Sequence, residues 1–251
     1  MTAGKEMPDP SLVTLRCKYR GRPLAIRHPA TLGVGWFRSV LDGHEYPRPP
    51  YLPNRPPVIV DVGANIGIST LYFAVHYPGA RIWALEPSRT PFACLRENVA
   101  PFPNVTAVNV GLFSADQQLP LHHGQTCVTD SVVRHLHSTG TSETIQLRRA
   151  SEVLAERVTE GYVSILKVDT EGCELPILRD LDGWLDRIDC LYYEYHSNED
   201  RVALDRLLCD RFYVFHSNAP AVHRGTVGLI AKRLAAEFPA MDDFRITRAA
   251  D

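Results

Sequence analysis

The 251-residue chain carries no excess of positive charge: 27 Lys and Arg stand against 29 Asp and Glu, a formal net charge of −2. Phosphate backbones are met by a basic stripe, whereas these Lys and Arg are scattered, so no nucleic-acid partner is expected. No apolar run approaches the roughly 20 residues that span a bilayer, and no membrane insertion is expected. The six cysteines, Cys17, Cys94, Cys127, Cys173, Cys190 and Cys209, form no CxxC pair, which leaves neither a zinc motif nor a redox motif. No secretory leader is recognisable, and reduced thiols in a cytoplasm are the expectation. Repeats and low-complexity stretches are likewise missing. A hydrophobic content of 45% and a charged content of 22% suit an ordinary soluble globular protein. The length suits one α/β domain with an N-terminal extension.

Against that plain background one segment stands out. Val58-Ile59-Val60-Asp61-Val62 is an apolar, β-branched run, which breaks at Gly63-Ala64-Asn65-Ile66-Gly67 and resumes as the helical pattern Ile68–Val75. A strand, a glycine turn and a helix make the unit at which open α/β sheets bind nucleotide-like ligands. Gly63 and Gly67 permit a tight turn, and the helix start offers unpaired N–H groups. A dinucleotide fingerprint needs glycines at 63, 65 and 68, but Asn65 and Ile68 occupy two of those places, which disfavours a nicotinamide enzyme. The next strand, Arg81–Glu86, ends in an acidic residue before Pro87, and a carboxylate there suits the two hydroxyls of an adenosine ribose.

Along the chain, residues 1–57 read as an N-terminal cap whose proline-rich end, Tyr46–Pro57, excludes a long helix. Within it, Ser11–Arg16 and Leu24–His28 read as strands and Gly35–Asp42 as a helix. Tyr46 and Arg48 are candidate substrate contacts. The remainder, 58–251, alternates. Strands are expected at 58–62, 81–86, 105–110, 163–168, 189–195, 211–216 and 226–232, and helices at 67–77, 90–99, 151–159, 174–182 and 199–209. Such alternation implies a mainly parallel sheet with helices on both faces. Residues 112–143 read as a β-rich insertion beside the ligand crevice, with strands at Gln118–His122 and Val128–Arg134, and Thr144–Arg149 reads as a further strand after it. In it, Asp130 and Ser131 are candidate substrate contacts. His122, His123, His135 and His137 match no standard ligand spacing, so no metal is assigned to them.

Two further strands end in polar chemistry. Ser164–Val168 delivers Asp169 at its carboxyl end, with Glu171 and Glu174 close behind. Glu174 also suits the positive end of the following helix. Leu191–Tyr195 carries Glu194 and leads to His196, and the two have the i, i+2 spacing that shares one strand face. A carboxylate beside an imidazole can abstract a proton, and Ser197 or Asn198 is positioned to cap the next helix.

Asp-Val-Gly-Ala-Asn-Ile-Gly, Leu-Glu-Pro, Leu-Lys-Val-Asp-Thr-Glu-Gly-Cys-Glu and Tyr-Glu-Tyr-His, in that order, resemble the FkbM family of S-adenosylmethionine (SAM)-dependent methyltransferases, over residues 58 to 232. The resemblance implies a Rossmann-like class I methyltransferase fold with a seven-stranded, mainly parallel sheet. It also implies O-methylation of a hydroxyl on a sugar, lipid or natural product. By position it assigns Asp61, Gly63, Asn65, Gly67, Glu86 and Pro87 to the SAM site, with Asn109, Val110, Gly111 and Leu112 beside the adenine. It places Asp169, Glu171, Glu194 and His196 at the transferred methyl. Ser151 departs from the acidic residue that the family often has at its place.

The expected chemistry follows from the resemblance and the residues together. His196, oriented by Glu194, removes the acceptor's proton, while Asp169 positions the hydroxyl or the cofactor amine. A divalent cation held by Asp169, Glu194 and His196 is a second arrangement, although no metal ligand is assigned. An N-methyltransferase and a non-catalytic SAM-binding protein are the competing functions. The acceptor and the oligomeric state are not encoded in these motifs.

Overall fold

The computed structural model describes residues 11–124 and 140–237. Its centre is a seven-stranded sheet of order β11-β12-β10-β9-β3-β4-β5. The inner strands are β3 (Val58–Val62), β4 (Arg81–Leu85), β5 (Val105–Val108), β9 (Val163–Val168) and β10 (Ile188–Tyr195), all parallel in register. At the far side, β12 (Arg224–Ala231) runs antiparallel to both β10 and β11 (Phe212–Ala221). Every residue of β3, β9 and β10 is buried, because helices cover both faces.

The covering helices are α2 (Ile68–His76), α3 (Arg89–Val99), α4 (Ala150–Arg157), α5 (Glu174–Asp180), α6 (Asp182–Leu185) and α7 (Asn198–Leu208). Two apolar cores result, one gathered around Leu166, Leu191 and Val227, the other around Ile59, Phe73 and Ile82. The helix expected at 174–182 is divided. Trp184 N donates to Leu181 O at 2.7 Å, an i−3 bond that tightens the backbone between α5 and α6. Strand β11 runs to Ala221 rather than 216, with irregular pairing near Val214 and Asn218.

Strand order reverses between β3 and β9, so the carboxyl ends of those two strands open a crevice at the topological switch point. Two additions stand beside the sheet, and parts of both reach that crevice. The first is β1 (Leu12–Tyr19) and β2 (Arg22–Pro29), a hairpin closed through Arg20 and Gly21 at φ +47° and +84°, followed by α1 (Gly35–Leu41). Buried Asn98 of α3 ties this hairpin down. Its side chain accepts from Arg27 N at 2.6 Å and donates to Arg27 O and to Ile66 O, inside the glycine turn. The proline-rich stretch after α1 is pinned by Tyr192 Oη donating to Pro47 O, and by Arg55 pairing with buried Asp189 at 2.6 Å.

The second addition is a separate three-stranded sheet of order β6-β8-β7. It comprises β6 (Gly111–Phe113), β7 (Gln117–His122) and β8 (Ser142–Arg149). Strand β6 has no counterpart among the sequence expectations: three residues are too few to display an alternation. The strand expected at Val128–Arg134 lies outside the described residues.

Candidate active site

The turn after β3 is built from left-handed backbone, with Gly63, Asn65 and Gly67 at φ +72°, +51° and +95°. Asparagine tolerates that region better than most side chains. Gly63 N and Ala64 N donate to Leu85 O at 3.0 and 2.9 Å, which fastens the turn to the end of β4. Glu86 completes it: its Oε2 accepts from Asn65 N and its Oε1 from Ser88 N, both at 2.8 Å. The carboxylate is 6% exposed and lies on the wall of a cavity.

That cavity measures about 520 Å³, within the range of small-molecule sites. At one end Asn65, Glu86, Pro87, Gly111, Leu112 and Leu147 line it, the last three from the small sheet and its approach. At the other end stand Asp169, Glu171 and Glu194, with Lys167, Arg224 and Tyr46 among them. Trp36 and Glu45 close the N-terminal side.

Two residues expected at the cofactor are set back from the wall. Asp61 is fully buried beneath the turn, where Ser69 Oγ and Thr70 Oγ1 donate to its Oδ2 at 2.7 and 2.6 Å. Lys167 Nζ lies 3.1 Å from its Oδ1, so Asp61 anchors the start of α2 to β9. Gly67 serves packing, since a Cβ there would lie 2.8 Å from Leu95 Cδ1. Asn109 is also behind the wall, donating to Glu86 O and Pro87 O at 2.9 Å. Arg48 turns away towards the Tyr77 ring. Asp130 and Ser131 lie outside the described residues.

His196 sits beside the expected carboxylates but follows the end of the strand. Strand β10 ends at Tyr195, and Ser197 Oγ accepts from Asp200 N at 3.0 Å as the cap of α7. The strand alternation therefore stops one residue before His196, yet the ring still comes within 3.9 Å of the Glu194 carboxylate. The imidazole is not among the residues lining the cavity. Its Nε2 instead lies 3.7, 3.8 and 3.9 Å from the carboxylates of Glu171, Glu174 and Glu194. Burial and the nearby Arg224 charge lower its pKa, so the ring is neutral at neutral pH.

The acidic end is a dense charge network. Tyr46 Oη donates to Asp169 Oδ2 at 3.0 Å, and Lys167 Nζ lies 3.5 Å from the same oxygen. Lys167 also donates to Gly63 O at 2.7 Å, so one buried ammonium joins the glycine turn to the end of β9. Burial opposes its charge, but the Asp61 and Asp169 carboxylates more than offset that and raise its pKa. Asp169 is half-buried, which alone would raise its pKa, but Lys167, Glu194 and Arg224 hold it down at about 2. Glu174 accepts from Thr170 N at 2.7 Å, and burial pushes it up to about 7.

Burial pushes Glu171 from 4.5 up to about 8, against the pull of Arg224. A carboxyl that binds its proton more tightly when folded makes the fold lose stability as pH rises between its two pKa values, from about 5 to about 8 here. Glu171→Gln removes that contribution. Its melting temperature should therefore gain on the wild type steadily as pH is raised across that window, whereas a constant difference would contradict the buried placement.

Lys167 and Arg224 were not singled out from the sequence. Lys167 did leave a signal, because a lysine inside an all-apolar buried strand is almost never unpaired. Arg224 left none, since its position depends on the fold of the β11–β12 hairpin. Asp169, Glu171, Glu194 and His196 can each offer an atom to a common point, with those atoms within 4.8 Å of one another. The guanidinium of Arg224 already bonds two of the three carboxylates, so this acidic set has an internal cation.

Residues 61–242 match the methyltransferase FkbM domain family. The chain is 32% identical to methyltransferase sdnD of Sordaria araneosa over 179 residues, which cover 58% of this chain and 68% of the relative. It is 29% identical over 153 residues to the 31-O-demethyl-FK506 methyltransferase FkbM of Streptomyces tacrolimicus, covering 48% of this chain and 58% of that one. A crystal structure of methyltransferase FkbM from Methylobacillus flagellatus KT superposes with a TM-score of 0.50 at 17% identity, a likeness of fold. It covers 69% of this chain and 43% of that one.

Proposed function

The chain belongs to the FkbM family of methyltransferases, and within that family we propose that it uses SAM to methylate a hydroxyl of a small molecule such as a natural product, sugar or glycoside. The observation that carries this reading is the single cavity joining the Glu86 end to the Asp169, Glu171 and Glu194 end. The donor set at the first end fits an adenosyl group. Glu86 places a carboxylate on the cavity wall, a group that suits two ribose hydroxyls, and Pro87, Leu112 and Leu147 supply an apolar slot for a flat base. The surplus of carboxylates at the second end fits a cationic ligand.

SAM, when bound, supplies a methyl group made electrophilic by its sulfonium. The residues supply binding, orientation and proton removal. Glu86 and the glycine turn fix the adenosyl end. Tyr46 and Lys167 hold the Asp169 carboxylate in place. Asp169, Glu171 and Glu194 stand on the wall where an acceptor's hydroxyl arrives, so the proton passes to a carboxylate there, with His196 behind it rather than at the reacting centre. The relative that methylates 31-O-demethyl-FK506 supports an oxygen acceptor.

An amine acceptor is the second reading, favoured by the same carboxylate surplus, which would bind an ammonium. The test is transfer of labelled methyl from SAM to matched alcohol and amine acceptors, with release of S-adenosylhomocysteine followed in parallel. The alcohol should be methylated. Preference for the amine would overturn the oxygen reading. A folded, SAM-binding protein that methylates neither would point to a non-catalytic binding role.

A further inference from the structure

Arg224 belongs to none of the sequence motifs, yet it reaches the acidic end of the cavity from the hairpin side. From the first position of β12 its Nε lies 2.6 Å from Glu194 Oε1 and its Nη2 3.3 Å from Glu194 Oε2. The same Nη2 lies 2.9 Å from Glu171 Oε1. One guanidinium thus ties together two carboxylates from different elements, Glu194 from β10 and Glu171 from the turn between β9 and α5. Glu171 stands at φ +53° and precedes Gly172 at +111°. A non-glycine residue persists in such backbone only where its surroundings hold it.

The other titratable groups facing the pair come from every neighbouring element. Lys167 and Asp169 lie at the end of β9, Glu174 on α5 and His196 after β10. Asp200 comes from α7, His223 from the hairpin turn, and Glu45 and Tyr46 from the segment after α1. Among these, Lys167 is the permanent cation, and it is committed to Asp61 and Asp169. Without Arg224, Glu171 and Glu194 would face mostly other acids.

We propose that Arg224 is the positioning residue of the reaction: it holds the Glu171 and Glu194 carboxylates together at the cavity wall and favours their charged form, so that one of them can take the acceptor's proton. This rests on the methyl-transfer reading above. The guanidinium fork suits the task, because it bonds two carboxylates where an ammonium is a point charge.

The test is an infrared titration of the carboxyl groups in the full chain, comparing the wild type with Arg224→Gln and Arg224→Lys. Removing a cation at this distance raises a carboxylate's protonation midpoint by about 1–3 pH units. In Arg224→Gln the protonated-carboxyl band should persist to correspondingly higher pH. Arg224→Lys should shift it in the same direction by less. Thermal melting establishes which variant is folded, and the lysine form decides if the glutamine form is not. No rise in any folded variant overturns the assignment. Titration of the wild type with SAM reads the methyl-transfer premise separately, since failure to bind SAM sinks that premise while the band still reports on Arg224.

Discussion

Gly63→Ala should lose SAM binding by at least about 100-fold. Gly63 sits at φ +72°, where a Cβ strains the backbone by about 1–2 kcal/mol. The added carbon would also collide with the backbone carbonyl of Asp169, whose carbon would lie 2.8 Å away. Neither partner can yield as a side chain can, so the carboxyl ends of β3 and β9 must part. Strain and displacement together amount to about 3 kcal/mol, or about two decades of affinity. Gly67→Ala provides the contrast. Its Cβ meets the flexible Leu95 side chain behind the turn, so it should lower the melting temperature with a smaller effect on binding. Calorimetry and thermal melting on both variants separate the two roles, and equal losses of affinity would contradict them.

Glu86→Ala should weaken SAM binding by about 100-fold to 10,000-fold. Hydrogen bonds to a charged acceptor contribute about 1.5–3 kcal/mol each, and the substitution removes those expected to both ribose hydroxyls. It also orphans Asn65 N and Ser88 N, which both donate to this carboxylate, and so loosens the glycine turn from which the site is made. Glu86→Gln keeps one carbonyl oxygen and should fall between the two. The Kd from calorimetry checks the order, and an alanine variant that binds as the wild type does would show that the adenosyl end lies elsewhere.

The parts of this site that were legible in the sequence are the parts that are local in the chain. A β-branched run, a glycine turn and a following helix declare themselves within about 20 residues, and β3 occupies Val58–Val62 as its pattern predicts. Glu86 and Asp169 were legible because each follows directly on the end of an apolar strand. Tyr46 was singled out as a substrate contact, and the structure places it on the cavity wall with its hydroxyl on Asp169.

What depends on where a strand stops or how distant segments meet was not legible. His196 comes near Glu194 as the spacing suggests, but it follows the end of the strand at Tyr195 and does not line the cavity. Asp61 looks like a ligand residue, and only the packing of α2 over β3 reveals that its oxygens are taken by Ser69, Thr70 and Lys167. Arg224 is separated from Glu171 by 53 positions, and no short-range pattern joins them. Strand β6 is three residues long and pairs with β8, so its existence depends on a partner more than 30 residues away.

The central claim is that the cavity at the ends of β3 and β9 binds SAM. Calorimetric titration of the folded protein with SAM, and in parallel with NAD, tests it directly. The account predicts saturable SAM binding and none with NAD, because Asn65 and Ile68 replace the glycines that a dinucleotide turn needs. NAD binding without SAM binding would contradict the account, together with every role assigned above to Glu86, Asp169 and Glu171.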